Sequence, residues 1–256
     1  MDNITTEKDN LVSVIMPSYN SAATIRASIE SVQRQTYTNW ELLITDDCST
    51  DLTADIVKEI AATDSRIKLF VNARNEGAGV SRNNSIAESI GRYIAFLDSD
   101  DLWDYSKLLK QVCFMQENNI ALSYTCYQKI SNDNILGKII IPPAMITYHE
   151  LLKSNVIGCL TAMYDVSAVG KVYMPTIRKR QDMALWLKIL AKIDRACCIN
   201  DVLAYYREGH TSLSSNKMKI LVSQWQFYRE YLGFNILKSC YYFYFYSLRA
   251  LLKHKA

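Results

Sequence analysis

Short apolar runs alternate along the first part of the chain with segments whose apolar residues recur every three or four positions. The runs have the length and composition of buried strands, and the periodic segments have the spacing of amphipathic helices. The strands predicted in this way cover residues 12–16, 41–45, 67–71 and 93–97. Strands that alternate with helices indicate an α/β protein with a mostly parallel central sheet flanked by helices on both faces.

Polar residues follow each predicted strand, and those after the fourth strand are the most informative. There the chain places Asp98, Asp100 and Asp101 directly behind the apolar run. Open α/β sheets bind ligands at the carboxyl ends of their strands, and carboxylates are suitable ligands for Mg²⁺ or Mn²⁺ with a bound diphosphate. The alternative is an acidic turn, with Asp101 capping the helix that follows.

The composition predicts one folded domain with an appendage. The 256 residues are 49% hydrophobic and include only four prolines and eight glycines, so we expect a full core and few flexible linkers. The net charge of +3 is too small and too dispersed to indicate a nucleic-acid partner. The seven cysteines form no CxxC pair, and the N-terminus lacks an apolar signal region. We therefore expect reduced thiols and a cytoplasmic location.

Five motifs, in the same order along the chain, resemble those of the family 2 glycosyltransferases, which have the GT-A fold. One of them is the DxD motif formed by Asp98 and Asp100. The five motifs lie within residues 12–20, 40–51, 75–83, 96–103 and 180–186. Several members of this family build bacterial O-antigen, capsule or other surface polysaccharides. The chain also resembles these members in its length and its tyrosine-rich end.

The resemblance implies a domain organisation. It spans residues 11 to about 215, so residues 1–215 would form the catalytic domain. Within that domain the nucleotide-binding half would cover about 11–103, and the acceptor half about 104–215. Residues 216–256 would form a C-terminal helical tail.

The resemblance also implies a reaction. The chain would move a sugar from a UDP-sugar to a hydroxyl of a glycan acceptor, with inversion and with Mn²⁺ or Mg²⁺ as cofactor. We expect the acceptor to be linked to a lipid diphosphate such as undecaprenyl diphosphate. A metal held by carboxylates can neutralise the charge that grows on the leaving diphosphate without protonating it.

Five residues match family positions that hold the nucleotide sugar. Pro17 and Tyr19 would line the uridine pocket, and Asp47 would accept a hydrogen bond from the uracil imide. Asp98 would reach the ribose or an associated water, and Arg82 would pair with phosphate beside helix amides. The alternative for Asp47 and its neighbour Asp46 is capping of the next helix, and we expect Asp46 to have that role. The alternative for Arg82 is a solvated surface position.

The metal and the base are implied in the same way. Asp100 would bind the metal, and His210 could bind either the metal or a phosphate, with a solvated loop histidine as the alternative. Asp182, at the start of a predicted helix, would be the general base, or would merely cap that helix. The family pattern usually has Glu before this Asp, and this chain has Gln181. Trp186 is expected in the core rather than under the acceptor.

The last stretch of the chain has a different composition. Residues 231–256 contain no acidic residue, and the six consecutive aromatics at 241–246 are flanked by lysines and arginines. Their uncharged run is far shorter than the roughly 20 residues that a membrane-spanning helix needs. The composition favours peripheral binding to the inner face of the cytoplasmic membrane. Alternatively the tail packs on the catalytic domain or on a second subunit, which leaves a homo-oligomer open.

Two other classes of function remain open at this point. A nucleotidyltransferase acting on sugar phosphates would share the strands and the carboxylates, but it would need a glycine-rich loop with a basic residue after the first strand, which residues 16–19 do not provide. A non-catalytic scaffolding subunit of a polysaccharide assembly complex would be expected to lack the metal or base carboxylates. Asp100 and Asp182 are both present.

Overall fold

The computed structural model describes residues 10–177, 179–208 and 217–252. Within these residues, ten strands form one sheet. In chain order the strands are β1 (Val12–Ser18), β2 (Trp40–Asp46), β3 (Ile67–Val71), β4 (Tyr93–Phe96), β5 (Leu102–Trp103), β6 (Leu122–Ile130), β7 (Leu136–Ile140), β8 (Met145–Ile146), β9 (Met163–Asp165) and β10 (Ala196–Arg207).

The sheet has the order β3-β2-β1-β4-β9-β6-β10-β5, with β7 beside β6 and β8 beside β10. Strands β1 to β4, β6 and β10 all run in one direction, because β9 is antiparallel to both β4 and β6. The shorter β5, β7, β8 and β9 run the opposite way. The sheet is therefore mostly parallel, as predicted.

Most helices lie between strands, and the last two follow β10. The helices are α1 (Ile25–Gln33), α2 (Thr53–Ala61), α3 (Ala78–Glu88), α4 (Lys107–Glu117), α5 (Tyr148–Lys153), α6 (Val166–Val169), α7 (Gln181–Leu190), α8 (Lys217–Gln226) and α9 (Ile236–Leu252). A 3-10 turn covers Cys159–Thr161, and a π-helical turn covers Phe227–Tyr231. The predicted alternation of strands and helices is confirmed, although β1 continues through Pro17 to Ser18 rather than ending at residue 16.

The core lies on both faces of the sheet. Every residue of β1 and β2 is buried, as expected for parallel strands covered by helices on both sides. Ile25, Ile29 and Val32 of α1 are fully buried, so the predicted apolar stripe faces the sheet. Trp186 is also fully buried, and its ring meets Phe96 edge-on at 5.5 Å between centroids. The prediction that Trp186 belongs to the core is confirmed.

The C-terminal helix α9 packs one of its faces on the rest of the chain. Tyr242 is 6% exposed, and its hydroxyl lies 2.9 Å from His149 Nδ1 on α5. Arg180, just before α7, donates to the hydroxyl of Tyr246 at 2.7 Å. The packing predicted as an alternative for the tail is thus present for this face.

The opposite face of α9 is exposed and largely apolar. Its exposed apolar residues recur with helical spacing and are Ile236, Leu237, Cys240, Tyr241, Tyr244 and Leu248. We call this set the apolar face of α9. Among the helices of the described residues, none combines the length and the apolar character needed to cross a membrane.

Candidate active site

The acidic loop, residues 98–101, follows β4 at the carboxyl edge of the parallel strands. The Asp98 carboxylate accepts a charged hydrogen bond from Arg82 on α3. Arg82 is only 9% exposed, because α3 lies against β1 and β2. The alternative of a solvated surface arginine is therefore wrong.

Arg82 keeps its charge in this buried position. Burial opposes the charge, but the Asp98 carboxylate, with a smaller contribution from Asp182, raises the pKa of Arg82. The Nε donor of Arg82 is buried and has no hydrogen-bond partner among the described residues. The guanidinium is thus a permanent cation with unused donor capacity at the strand ends.

Asp101 has a structural position in the loop. It is 1% exposed, and its Oδ1 accepts a hydrogen bond from the main-chain nitrogen of Arg207 at 2.9 Å. Burial, together with the charges of Asp98 and Asp100, raises the pKa of Asp101 well above its usual value. Asp101 ties the acidic loop to the end of β10.

Asp101 does not cap the next helix, so that alternative is wrong. Helix α4 begins at Lys107, too far along the chain for such a cap. The turn before it is closed by Asp104, whose Oδ1 accepts from the Ser106 main-chain nitrogen at 2.9 Å. The buried position of Asp101 depends on how β10 lies beside the acidic loop.

Asp100 is the most exposed of the three carboxylates. Its main-chain carbonyl accepts from Arg207 Nε at 2.9 Å, while its side chain faces solvent. The surrounding protein still removes part of its hydration, and with the Asp98 charge this raises the pKa of Asp100. A divalent cation would relieve that repulsion between like charges.

The acidic loop fits a divalent metal ion that is held partly by the protein and partly by the phosphates of a bound ligand. Among the described residues, no three side chains of His, Cys, Asp or Glu converge to form a closed metal cage. Mg²⁺ commonly takes one or two protein carboxylates plus substrate phosphates and waters. The exposed Asp100 carboxylate meets that need. His210 lies outside the described residues, so its role stays a prediction.

Asp47, at the end of β2, fastens the loop before α3. It is 2% exposed and accepts hydrogen bonds from Asn72 Nδ2 at 2.8 Å, Glu76 N at 2.9 Å and Gly77 N at 2.7 Å. These donors occupy three of about four lone-pair positions of the carboxylate, so one acceptor position remains. Asn72 was not among the predicted site residues, and its place in this network is visible only in three dimensions.

Asp47 does not cap α2, so that alternative is also wrong. Helix α2 begins at Thr53, and the carboxylate that meets its first turn is Asp51, which accepts from Thr53 N at 3.0 Å. The neighbouring Asp46 accepts from Ser49 N at 2.9 Å and closes the turn after β2, so the prediction that Asp46 caps α2 is wrong as well. Each of the three Asp side chains therefore has a separate set of partners.

The end of β1 lies beside the end of β2 at the same edge of the sheet. Pro17 is buried and is paired in register with Thr45 of β2. Tyr19, two residues later, is 49% exposed and presents its ring to solvent. The hydroxyls of Ser21 and Ser99 lie 2.8 Å apart and join this loop to the acidic loop.

Asp182 lies in the first turn of α7, at the same edge of the sheet. Its Oδ2 accepts a hydrogen bond from Asn155 Nδ2 at 2.8 Å. The first turn of α7 approaches the start of α3, where the side chain of Gln181 lies against Gly79. The charge of Asp182 acts on Arg82, so the two halves of the site are in electrostatic contact.

Asn155 is a site residue that sequence reasoning missed. Its Oδ1 is buried without a hydrogen-bond partner among the described residues. Because a carboxylate only accepts hydrogen bonds, the amide nitrogen must face Asp182, which leaves the oxygen unpaired. The residue lies in an irregular segment after α5 and matches no recognisable motif, so no sequence signal could have found it.

This arrangement defines a class of protein before any comparison. Polar loops, an exposed carboxylate and a buried cation meet at the carboxyl edge of a parallel α/β sheet, where such folds bind nucleotides and related ligands. Residues 13–169 match the family described as Glycosyl transferase family 2. The chain belongs to that family and is a glycosyltransferase.

Curated relatives match almost the whole chain. WfgD of Escherichia coli, a UDP-Glc:alpha-D-GlcNAc-diphosphoundecaprenol beta-1,3-glucosyltransferase, is 44% identical over 248 residues, covering 96% of each protein. TuaG of Bacillus subtilis strain 168, whose name assigns it to teichuronic acid biosynthesis, is 43% identical over 244 residues, covering 95% of this chain and 97% of TuaG.

Solved structures share the GT-A fold. The S. aureus TarS structure in complex with UDP-GlcNAc superimposes with a TM-score of 0.68 at 21% identity, covering 84% of this chain and 66% of that one. The mannosyltransferase PcManGT from Pyrobaculum calidifontis, in complex with GDP-Man and Mn²⁺, superimposes with a TM-score of 0.67 at 17% identity, covering 91% of this chain and 69% of that one. The predicted fold class is confirmed.

Proposed function

We propose that this glycosyltransferase moves a sugar from a UDP-sugar to a hydroxyl of a lipid-diphosphate-linked glycan in bacterial surface-polysaccharide synthesis. The observation that carries the proposal is the exposed Asp100 carboxylate beside the ion pair of buried Arg82 with half-buried Asp98, with Asp182 near Arg82. The 44% identity to WfgD, which uses UDP-Glc and a diphosphoundecaprenol acceptor, supports the choice of donor and acceptor.

The donor would bind at the ends of β1, β2 and β4. The ring of Tyr19 is exposed and can stack on the base, with Pro17 behind it. Asp47 has one acceptor position left for the uracil imide N–H. Arg82 supplies positive charge toward the diphosphate, and Asp98 is held by Arg82 where it can reach the ribose.

The cofactor would be Mn²⁺ or Mg²⁺ held by Asp100. A bound divalent ion neutralises the charge that develops on the departing diphosphate. Asp100 is suited to hold it because its carboxylate is exposed while its main chain is fixed by Arg207. His210 remains a candidate second ligand.

Asp182 would act as the general base. Its Oδ2 is held by Asn155, which leaves Oδ1 to take the proton of the attacking acceptor hydroxyl. The acceptor oxygen bonds to the anomeric carbon as the bond to UDP breaks, and a single displacement inverts the configuration at that carbon. The described residues of the site offer one such base and no evident nucleophile for a second displacement.

The family assignment supports a sugar-transfer function over the two earlier alternatives. A nucleotidyltransferase acting on sugar phosphates would join a nucleotide to its substrate, whereas the family and both relatives named above carry the name glycosyltransferase. A scaffolding subunit would have no use for Asp100 and Asp182. Both carboxylates are present at the edge where the reaction would occur.

The first test concerns the nucleotide. Isothermal calorimetry should show UDP binding that strengthens about tenfold or more when Mn²⁺ is added, because the ion joins the diphosphate to Asp100. GDP, CDP and ADP should bind clearly more weakly under the same conditions. Equal UDP binding with and without Mn²⁺ would remove the metal from the proposal, and a preference for another base would remove UDP.

The apolar face of α9 would hold the enzyme at the inner face of the cytoplasmic membrane, near a lipid-linked acceptor. Tyr242 and Tyr246 fix the opposite face of the helix on the rest of the chain. The exposed aromatic and aliphatic side chains are therefore directed away from it. Lys238 and Arg249 are also exposed on this helix and can meet anionic headgroups. Amphipathic helices with these features lie in the membrane interface.

Liposome sedimentation tests the apolar face of α9. Replacing Leu237 and Tyr244 together by serine should lower partitioning onto anionic liposomes by about tenfold or more, because two exposed apolar side chains lose their burial in lipid. The matched control replaces Leu52 and Ile90, two apolar residues that are also well exposed but lie away from α9, by serine. Wild-type binding should also weaken with salt, at roughly 1 kcal/mol per basic residue near the surface.

Two outcomes would contradict the membrane proposal. The wild-type protein could ignore anionic liposomes at low salt, or the control pair could lose as much binding as the pair on α9. Point substitutions are preferred to removal of the helix, because deletion would also take Tyr242 out of the core.

A further inference from the structure

Arg207, the last residue of β10, has an unusual set of partners for a buried arginine. It is 8% exposed, and its guanidinium donates to main-chain and amide oxygens. Moving a guanidinium out of water is expensive unless its donors are satisfied. The guanidinium of Arg207 meets that condition, because its hydrogen-bond donors are directed at oxygen acceptors of the protein.

The donors of Arg207 join two loops that are far apart in sequence. Nε donates to the Asp100 carbonyl at 2.9 Å. Nη1 donates to the carbonyls of Ser131 at 3.0 Å and Asn132 at 3.1 Å, and Nη2 donates to Asn134 Oδ1 at 3.0 Å. Ser131, Asn132 and Asn134 belong to the turn between β6 and β7, so one side chain fastens that turn to the acidic loop.

The main chain of Arg207 completes the connection. Its nitrogen donates to Asp101 Oδ1 at 2.9 Å, one residue after the carbonyl that its side chain holds. The acidic loop is thus gripped at two consecutive residues, 100 and 101. Arg207 therefore restrains the main chain on the C-terminal side of the Asp100 Cα, from which the Asp100 carboxylate projects.

We propose that Arg207 is a positioning residue for the metal-binding carboxylate of Asp100. The inference rests on the proposed function, in which Asp100 holds the divalent ion. Residues that orient a metal ligand from behind typically change metal affinity about 10- to 100-fold when they are mutated. The planar fork of arginine is needed because four acceptors in two loops must be reached at once, and the point charge of lysine cannot do this.

The experiment compares Arg207→Lys with wild type by calorimetry of UDP, with and without Mn²⁺. We expect the Mn²⁺-dependent gain in UDP affinity to fall by about 10- to 100-fold, while the metal-free affinity for UDP stays within about twofold. The matched control is Lys129→Ala, which breaks the ion pair between β6 and Glu208, the residue that follows Arg207, and should leave both affinities unchanged.

A second variant keeps the test open if Arg207→Lys does not fold. Asn134 has a positive φ of 59°, so Asn134→Gly suits the turn while removing one acceptor of the guanidinium. It should lower the Mn²⁺-dependent gain by about fivefold, the effect of one hydrogen bond. Binding of Mn²⁺ followed by its electron paramagnetic resonance signal gives the same comparison without any turnover.

Three outcomes would overturn the inference. If Arg207→Lys kept the full Mn²⁺-dependent gain in UDP affinity, the hydrogen bonds from Arg207 to the acidic loop would be dispensable for metal binding. Equal losses of metal-free and metal-dependent affinity would show a role in folding alone. Absence of any Mn²⁺ effect in the wild type would remove the metal site itself and the inference with it, whereas the first two results leave the proposed function intact.

Discussion

Replacing Asp182 by asparagine should reduce sugar transfer by about 10²- to 10⁴-fold, the usual contribution of a general base. The affinity for UDP should change little, because the proposed nucleotide contacts lie on other elements. Asparagine has the same shape and can still accept from Asn155, so the start of α7 should keep its structure. Initial rates with a panel of UDP-sugars and lipid-diphosphate-linked acceptors, combined with UDP calorimetry, provide the measurement.

A control variant separates catalysis from charge. Asp194→Asn makes the same substitution at an exposed position shortly after α7 and should leave the rate unchanged. Near-normal turnover in the Asp182 variant would require a different base. A parallel loss of UDP binding would instead mean that Asp182 belongs to the donor site.

Asp100→Ala should remove the Mn²⁺-dependent part of UDP binding and lower turnover on the order of 10²- to 10³-fold, the scale found when one stabiliser of developing charge is removed. Both effects have one cause, because the same exposed carboxylate would hold the ion during binding and during reaction. The variant should keep its fold, since Arg207 holds the carbonyl of residue 100 rather than its side chain. UDP calorimetry with and without Mn²⁺ and initial rates are the two measurements.

Asp55→Ala, at an exposed position on α2, is the matched control and should change neither quantity. If Asp100→Ala kept the full Mn²⁺ effect, another ligand, such as Asp98 or His210, would have to hold the ion. Asp98 is the poorer candidate, because Arg82 already donates to one oxygen of its carboxylate.

The fold class and the order of the site residues along the chain were readable from the amino-acid sequence. The apolar runs of β1 to β4 are short and continuous because both faces of a parallel strand are buried, so their positions were readable from one dimension. The carboxylates after β2 and β4 followed from the same pattern, since parallel strands bring their carboxyl ends to one edge. The resemblance of five motifs then named the family, which the comparison confirmed.

The role of each polar residue at that edge became visible only in three dimensions. Asp101 and Asp47 looked like helix caps in sequence, but β10 and the loop before α3 supply their partners from more than 20 residues away. Asn155 and Arg207 have no motif, because their roles arise from contacts with Asp182 and the acidic loop that no local pattern records. Local spacing sets the secondary structure, whereas hydrogen bonds between distant segments depend on how the strands are ordered in the sheet.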